Sequence, residues 1–180
     1  MLEIGLNAVI VSVADPQPQV LTIPMPEEGE QPALPFGPFD PTRHRTFEIG
    51  LREWVEEQTA LKLGWVEQLY TFGDRGRHHI TPEAGPHVVS VGYLALARQT
   101  ARSDEAIARQ QARWQSWYSF FPWEDWRNGM PEVVEREILP ALESWMVSPV
   151  PDNAPPRMRT REDRVHQAFD VTDGIWNEER

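Results

Sequence analysis

The stretch that most limits how this chain can fold runs from Thr46 to Leu63. Phe47, Leu51, Trp54 and Leu61 recur there at spacings of four, three and seven, which predicts a helix with one apolar stripe. Glu53, Glu56 and Glu57 fall off the stripe. Glu53 and Glu57 are one turn apart and Glu56 is three residues from Glu53, so the three carboxylates can share a space beside the helix. Clustered carboxylates repel unless a cation or an arginine sits among them. Hard cations such as Mg2+ take such oxygen ligands, often together with substrate phosphates. The plain alternative is a solvated acidic face.

Around this helix the chain alternates between strand and turn signals. Leu2 to Val13 is rich in β-branched residues and predicts a strand. Asp15-Pro16-Gln17-Pro18 predicts a turn, and Gln19 to Met25 a returning strand, so the two make a hairpin. Pro26 to Pro32 is acidic and unpatterned, as a loop is. Gly64 is the expected helix stop. Trp65 to Phe72 and His87 to Ala97 predict two further strands, the second with Val89, Val91, Tyr93 and Ala95 on one face. The order strand, strand, helix, strand, strand predicts an α/β domain with a mixed sheet and helices outside.

The second half is less regular. Thr100 to Arg109 is polar and predicts an exposed connection. Gln110 to Phe120 is dense in aromatic residues, which favours a strand. Glu132 to Val147 predicts an amphipathic helix that Pro140 kinks or divides. Ser148 to Pro156 has a linker's composition. Residues 157–180 are too few for a second core and predict a helical arm, or the start of a C-terminal winged-helix domain. The expected organisation is therefore a domain over 1–147, a Pro-rich linker over 148–156 and an arm over 157–180.

Composition closes off several classes. The net charge of −11 argues against this portion alone coating DNA or an anionic membrane. Cysteine is absent, so no thiolate metal site or disulfide framework exists, and the cytoplasm is the expected compartment. No apolar run approaches a membrane span. There is no Gly-rich dinucleotide fingerprint and no P-loop.

The residues from Leu34 to Leu61 resemble the signature segment of the Nudix superfamily. A loop, Leu34-Pro35-Phe36-Gly37-Pro38-Phe39, precedes a helix carrying Arg52, Glu53, Glu56 and Glu57. The resemblance implies an α/β/α sandwich, with Glu53, Glu56 and Glu57 as catalytic and metal-ligating residues if the protein is active. It also implies that Arg52 braces a carboxylate. Two flanking positions and one loop length depart from the pattern. Thr59 replaces a glycine, His44 stands where a glutamate is expected eight residues before Arg52, and the loop is one residue longer. Mg2+ is the one cofactor implied, with a cation-free site as the alternative.

A narrower resemblance follows from Gln68-Leu69-Tyr70-Thr71-Phe72-Gly73-Asp74, Val88 to Tyr93, Arg43-His44-Arg45 and Phe120 to Trp126. These are similar to Nudix-related transcriptional regulators of NAD biosynthesis, the NrtR and NadQ groups. That implies a nucleotide-sensing domain with a degenerate catalytic box, binding ADP-ribose, NAD or ATP. It also implies operator DNA bound through a C-terminal domain beyond residue 180, and a homodimer. The enzymatic alternative is an Mg2+-dependent hydrolase of an ADP-ribose-like nucleotide. A third class is a non-catalytic domain that dimerises through its aromatic C-terminal half.

Arg43, Arg45, Arg52, Asp74, Arg75 and Arg77 are the expected ligand-binding residues, because guanidinium groups pair with phosphate bidentately. Exposed loop arginines and a turn-forming Asp74 are the plain alternatives. His44 is expected to be solvent-exposed. His78 and His79 are adjacent and point opposite ways in an extended chain, which argues against a two-histidine metal site. Trp114, Trp117, Trp123 and Trp126 form either an adenine-stacking surface or, more simply, a packed cluster or dimer contact.

Overall fold

The computed structural model describes residues 2–14, 16–25, 31–74, 87–149 and 160–169. The expected loop at 26–32 (save Gln31 and Pro32), Arg75, Arg77, His78, His79 and most of the Pro-rich segment lie outside the described residues. Two compact units are present, Met1–Phe120 and Phe121–Arg180.

In the first unit β1 (Leu2–Ala14) and β2 (Gln17–Met25) form the expected antiparallel hairpin, with Val11 opposite Val20. The N-terminal half of β1 instead pairs with β4 (Phe36–Pro38), Leu6 opposite Gly37. β3 (Gln31–Ala33) extends β2. β6 (His87–Leu96) lies parallel to β1 along ten residues, and β5 (Val66–Phe72) pairs antiparallel with β6 at the edge. β7 (Arg113–Ser116) pairs with β2. The order is β3-β2-β1-β6-β5, a mixed sheet as expected.

One face of this sheet holds the core. Leu6, Ala8 and Ile10 alternate along β1 and bury with Leu21, Ile23, Val91, Tyr93 and Ala95. Leu51 and Val55 from α1 (Phe47–Thr59) and Ile107 from α2 (Ala101–Arg109) close over them. Trp54, expected on the apolar stripe, is only half-buried, and Val55 takes its place in the core. Leu61 lies beyond the helix.

The ends of α1 have specific causes. The Thr46 hydroxyl accepts the Ile49 N–H at 3.2 Å. The helix stops at Ala60, not at Gly64. The buried Thr59 hydroxyl donates to the Val55 carbonyl at 2.7 Å and accepts the Leu61 N–H at 3.1 Å. Ala60 turns left-handed at φ 57°, its N–H reaching the Glu56 carbonyl. The polar stretch expected as an exposed connection is α2. Thr100 and Ser103 cap it reciprocally, and Ile107 supplies its buried contact.

In the second unit the long helix is divided. Val134–Ile138 is a π-helical stretch, and α3 (Leu139–Val147) continues from it. Pro140 has no N–H to offer the Arg136 carbonyl, and the wider turn, with Leu139 N–H reaching back to the Val134 carbonyl, accommodates its ring. α4 (Arg161–Phe169) packs against α3. Arg161 donates to the Trp145 carbonyl at 2.9 Å, and both Arg161 and Arg164 lie over the Trp145 indole, at 5.2 and 5.0 Å. No helix among the described residues is long and apolar enough to cross a membrane.

Candidate functional site

The site is built where β4 and the loop after it meet α1. Gly37 of β4 lies beneath the Trp54 indole so closely that a Cβ there would sit 2.2 Å from Trp54 Cδ2. The indole N–H donates to the Pro38 carbonyl at 2.9 Å. Gln58, which sequence reading passed over, pairs its amide with both backbone groups of Phe36, at 3.0 and 2.7 Å. The Leu34–Phe39 segment is thus clamped to the outer side of α1.

The chain then turns at Asp40. Its carboxylate accepts from the Thr42 hydroxyl at 2.7 Å and the Thr42 N–H at 2.8 Å, and these two bonds hold it below the ordinary aspartate value. The turn delivers His44 inward, and here the expectation of an exposed histidine is corrected. His44 is buried, with 2% of its surface exposed. Phe39 lies beside it at 5.9 Å between ring centroids, and Phe47 packs edge-on against Phe39 at 4.6 Å. Gly50 makes the room: a Cβ at that position would be 2.7 Å from His44 Nδ1. The imidazole accepts the Asp40 N–H on Nδ1 at 3.1 Å and faces the Glu53 carboxylate with Nε2 at 3.0 Å.

Glu53 therefore receives His44 and, at 3.5 Å, the Arg43 guanidinium, both on the same oxygen. Glu56 pairs with Lys62 at 3.3 Å. Glu57 and Arg45 are exposed. Arg52 does not brace Glu53 or Glu56. It pairs with Glu48, one turn earlier, at 2.8 Å and donates to the Leu63 and Gly64 carbonyls, so it holds the chain leaving the helix. Asp74 is exposed at the end of β5. Near Glu48, burial and then the Glu48 charge push the Tyr93 hydroxyl above its ordinary value, and that hydroxyl donates to Gln68 Oε1 at 3.3 Å.

Among the described residues no three His, Asp or Glu side chains converge so as to hold a metal ion. Glu53 and Glu56 point to different partners, each positively charged or hydrogen-donating. Glu53 is thus paired with the buried His44 and the exposed Arg43, Glu56 with the exposed Lys62, and Glu57 and Arg45 stand exposed beside them. Trp114 packs on the core and donates to Asp104 at 3.3 Å, whereas Trp123 and Trp126 are exposed in the second unit.

The sheet, its helices and the clamped loop define a protein of Nudix fold, as the signature implied. No family model matches the sequence, and no curated protein matches it. Solved structures carry the likeness. The Nudix domain of Shewanella oneidensis NrtR, in complex with ADP-ribose, is similar with a TM-score of 0.55 at 23% identity, over 68% of this chain and 77% of that one. S. oneidensis NrtR in complex with a 27mer DNA is similar with a TM-score of 0.52 at 22% identity, over 79% of this chain and 62% of that one. A MutT/Nudix family protein from Listeria innocua gives 0.51 at 15% identity, over 81% and 98%. At such identities the likeness speaks for the fold.

Proposed function

We propose that this chain is a nucleotide-sensing Nudix-like domain of a transcriptional regulator of NAD biosynthesis, taking an ADP-ribose, NAD or ATP type of ligand. The observation that carries the reading is the state of the acidic face: Glu53 is held by His44 and Arg43, and Glu56 by Lys62. A hydrolase of this fold needs those carboxylates on a cation, whereas a sensor needs only to bind. Supporting it, the similar NrtR structures are complexes with ADP-ribose and with DNA. In this reading Arg43 and Arg45 meet the ligand's phosphates, and Arg75 and Arg77, just after Asp74 in the sequence, join them. Operator DNA is bound through a domain after residue 180, and the regulator works as a homodimer.

Calorimetric titration with ADP-ribose, NAD and ATP, each with Mg2+ and with chelator, tests the reading when the products are followed by chromatography. Binding without breakdown is expected. Mg2+-dependent release of AMP, lost in Glu57→Gln, would replace the sensor with the hydrolase of an ADP-ribose-like nucleotide.

A further inference from the structure

His44 is the departure from the Nudix signature that the structure explains most fully. The Asp40 N–H donates to Nδ1, so Nδ1 carries no proton and the ring's single proton sits on Nε2. That proton is aimed at Glu53 Oε2, 3.0 Å away. The ring is held where it is: it is buried, Phe39 flanks it, and Gly50 lies against its Nδ1 edge. Were Glu53 to swing toward a cation beside Glu57, the Nε2–H would be left buried without a partner, which opposes the swing.

The charge logic points the same way. A glutamate at position 44 would set two carboxylates face to face, an arrangement that favours a cation between them. A neutral imidazole N–H in that place satisfies Glu53 with no cation. Arg43, on the same oxygen at 3.5 Å, adds a positive charge that repels one.

We propose that His44 is a positioning residue that withdraws Glu53 from cation binding. It fixes the carboxylate against the loop at 40–44 and leaves the acidic face of α1 without Glu53 as a cation ligand. The proposal bears on the nucleotide-sensing reading but is tested without nucleotide, so either can fail alone.

The test is Mn2+ titration of the chain, followed by electron paramagnetic resonance of the free ion. The wild-type chain is expected to take up no Mn2+ below the millimolar range. His44→Glu is expected to bind Mn2+ tighter by about tenfold or more, the scale on which residues behind metal ligands act. Adding Glu53→Gln to it should remove the gain. His44→Gln offers an amide oxygen to the Asp40 N–H and an NH2 to Glu53, and should behave as wild type. A histidine that only stabilised the loop would move the melting temperature in these variants and leave Mn2+ uptake flat. Tight wild-type binding that Glu53→Gln abolishes would overturn the proposal, as would a folded His44→Glu with no gain. Should His44→Glu not fold, nitrogen-15 spectra of the wild-type imidazole decide. A protonated Nε2 and bare Nδ1, unchanged by millimolar Mg2+, are expected. The opposite tautomer, or a signal that shifts as Mg2+ saturates, would overturn it.

Discussion

The socket around His44 and the edge strand β5 differ in almost every respect. The socket draws residues from β1, the loop at 39–44 and α1, and every polar group of its imidazole is paired. β5 pairs on one side with β6, carries a bulge between Gln68 and Tyr70, and leaves Leu69 and Tyr70 more than half exposed. Yet β5 and the glycine after it hold much of the motif that resembles the NAD regulators. The comparison teaches that motif density and structural constraint are separate things here. In the socket, changes should act on folding and on the carboxylate; on β5 they should leave folding alone.

Replacing Leu51, fully buried beneath the helix, is the strongest way to break the socket side. Leu51→Ala should cost about 2–5 kcal/mol in urea unfolding, through lost burial and the cavity left behind. Gly50→Ala comes next. Its Cβ would press on His44 Nδ1 at 2.7 Å and Leu6 Cδ1 at 3.1 Å, and overpacking of that kind costs about 1–3 kcal/mol. The cost should shrink in a His44→Ala background, because the ring that resists the methyl group is gone; a double-mutant cycle reads the difference. On the other side, Leu69→Ser should stay within about 0.5 kcal/mol of wild type. A large loss there would show that β5 is covered by something and would erase the contrast.

The smallest expected effect concerns pH. The Asp40 carboxyl lies below its ordinary value of 3.8, chiefly through the Thr42 hydroxyl and N–H. A depressed carboxyl stabilises the fold above its unfolded value and loses that contribution as pH falls through the folded one. Acid unfolding of Thr42→Val, compared with wild type, should therefore lose part of its dependence below pH 3.8. Equal acid profiles would mean that the Asp40 turn adds nothing to the socket.

Much of the fold was legible in the sequence because period and punctuation agree there. The β1–β2 hairpin, α1, β5 and β6 all stand close to where alternation, helical period and turn residues place them. α2 was hidden by its polar composition: Ile107 is its one buried residue, so no stripe announces it, although Thr100 and Ser103 form a readable cap. The candidate residues could be named from the sequence, but most of their contacts could not. That Arg52 pairs with Glu48 could have been read from their spacing of four. The burial of His44 could not, because it depends on Gly50 lacking a side chain and on Phe39 returning across the loop. Nor could the Glu56–Lys62 pair, whose six-residue spacing spans the left-handed turn at Ala60.

With Glu53 paired to His44 and Arg43 and Glu56 to Lys62, the proposed nucleotide ligand should bind without a divalent ion. Titrating ADP-ribose into the chain in chelator and again in Mg2+, with chromatography of the products, tests it most directly. Equal affinity in both conditions and intact ADP-ribose are the predicted result. Binding that appears only with Mg2+, or AMP among the products, would contradict it.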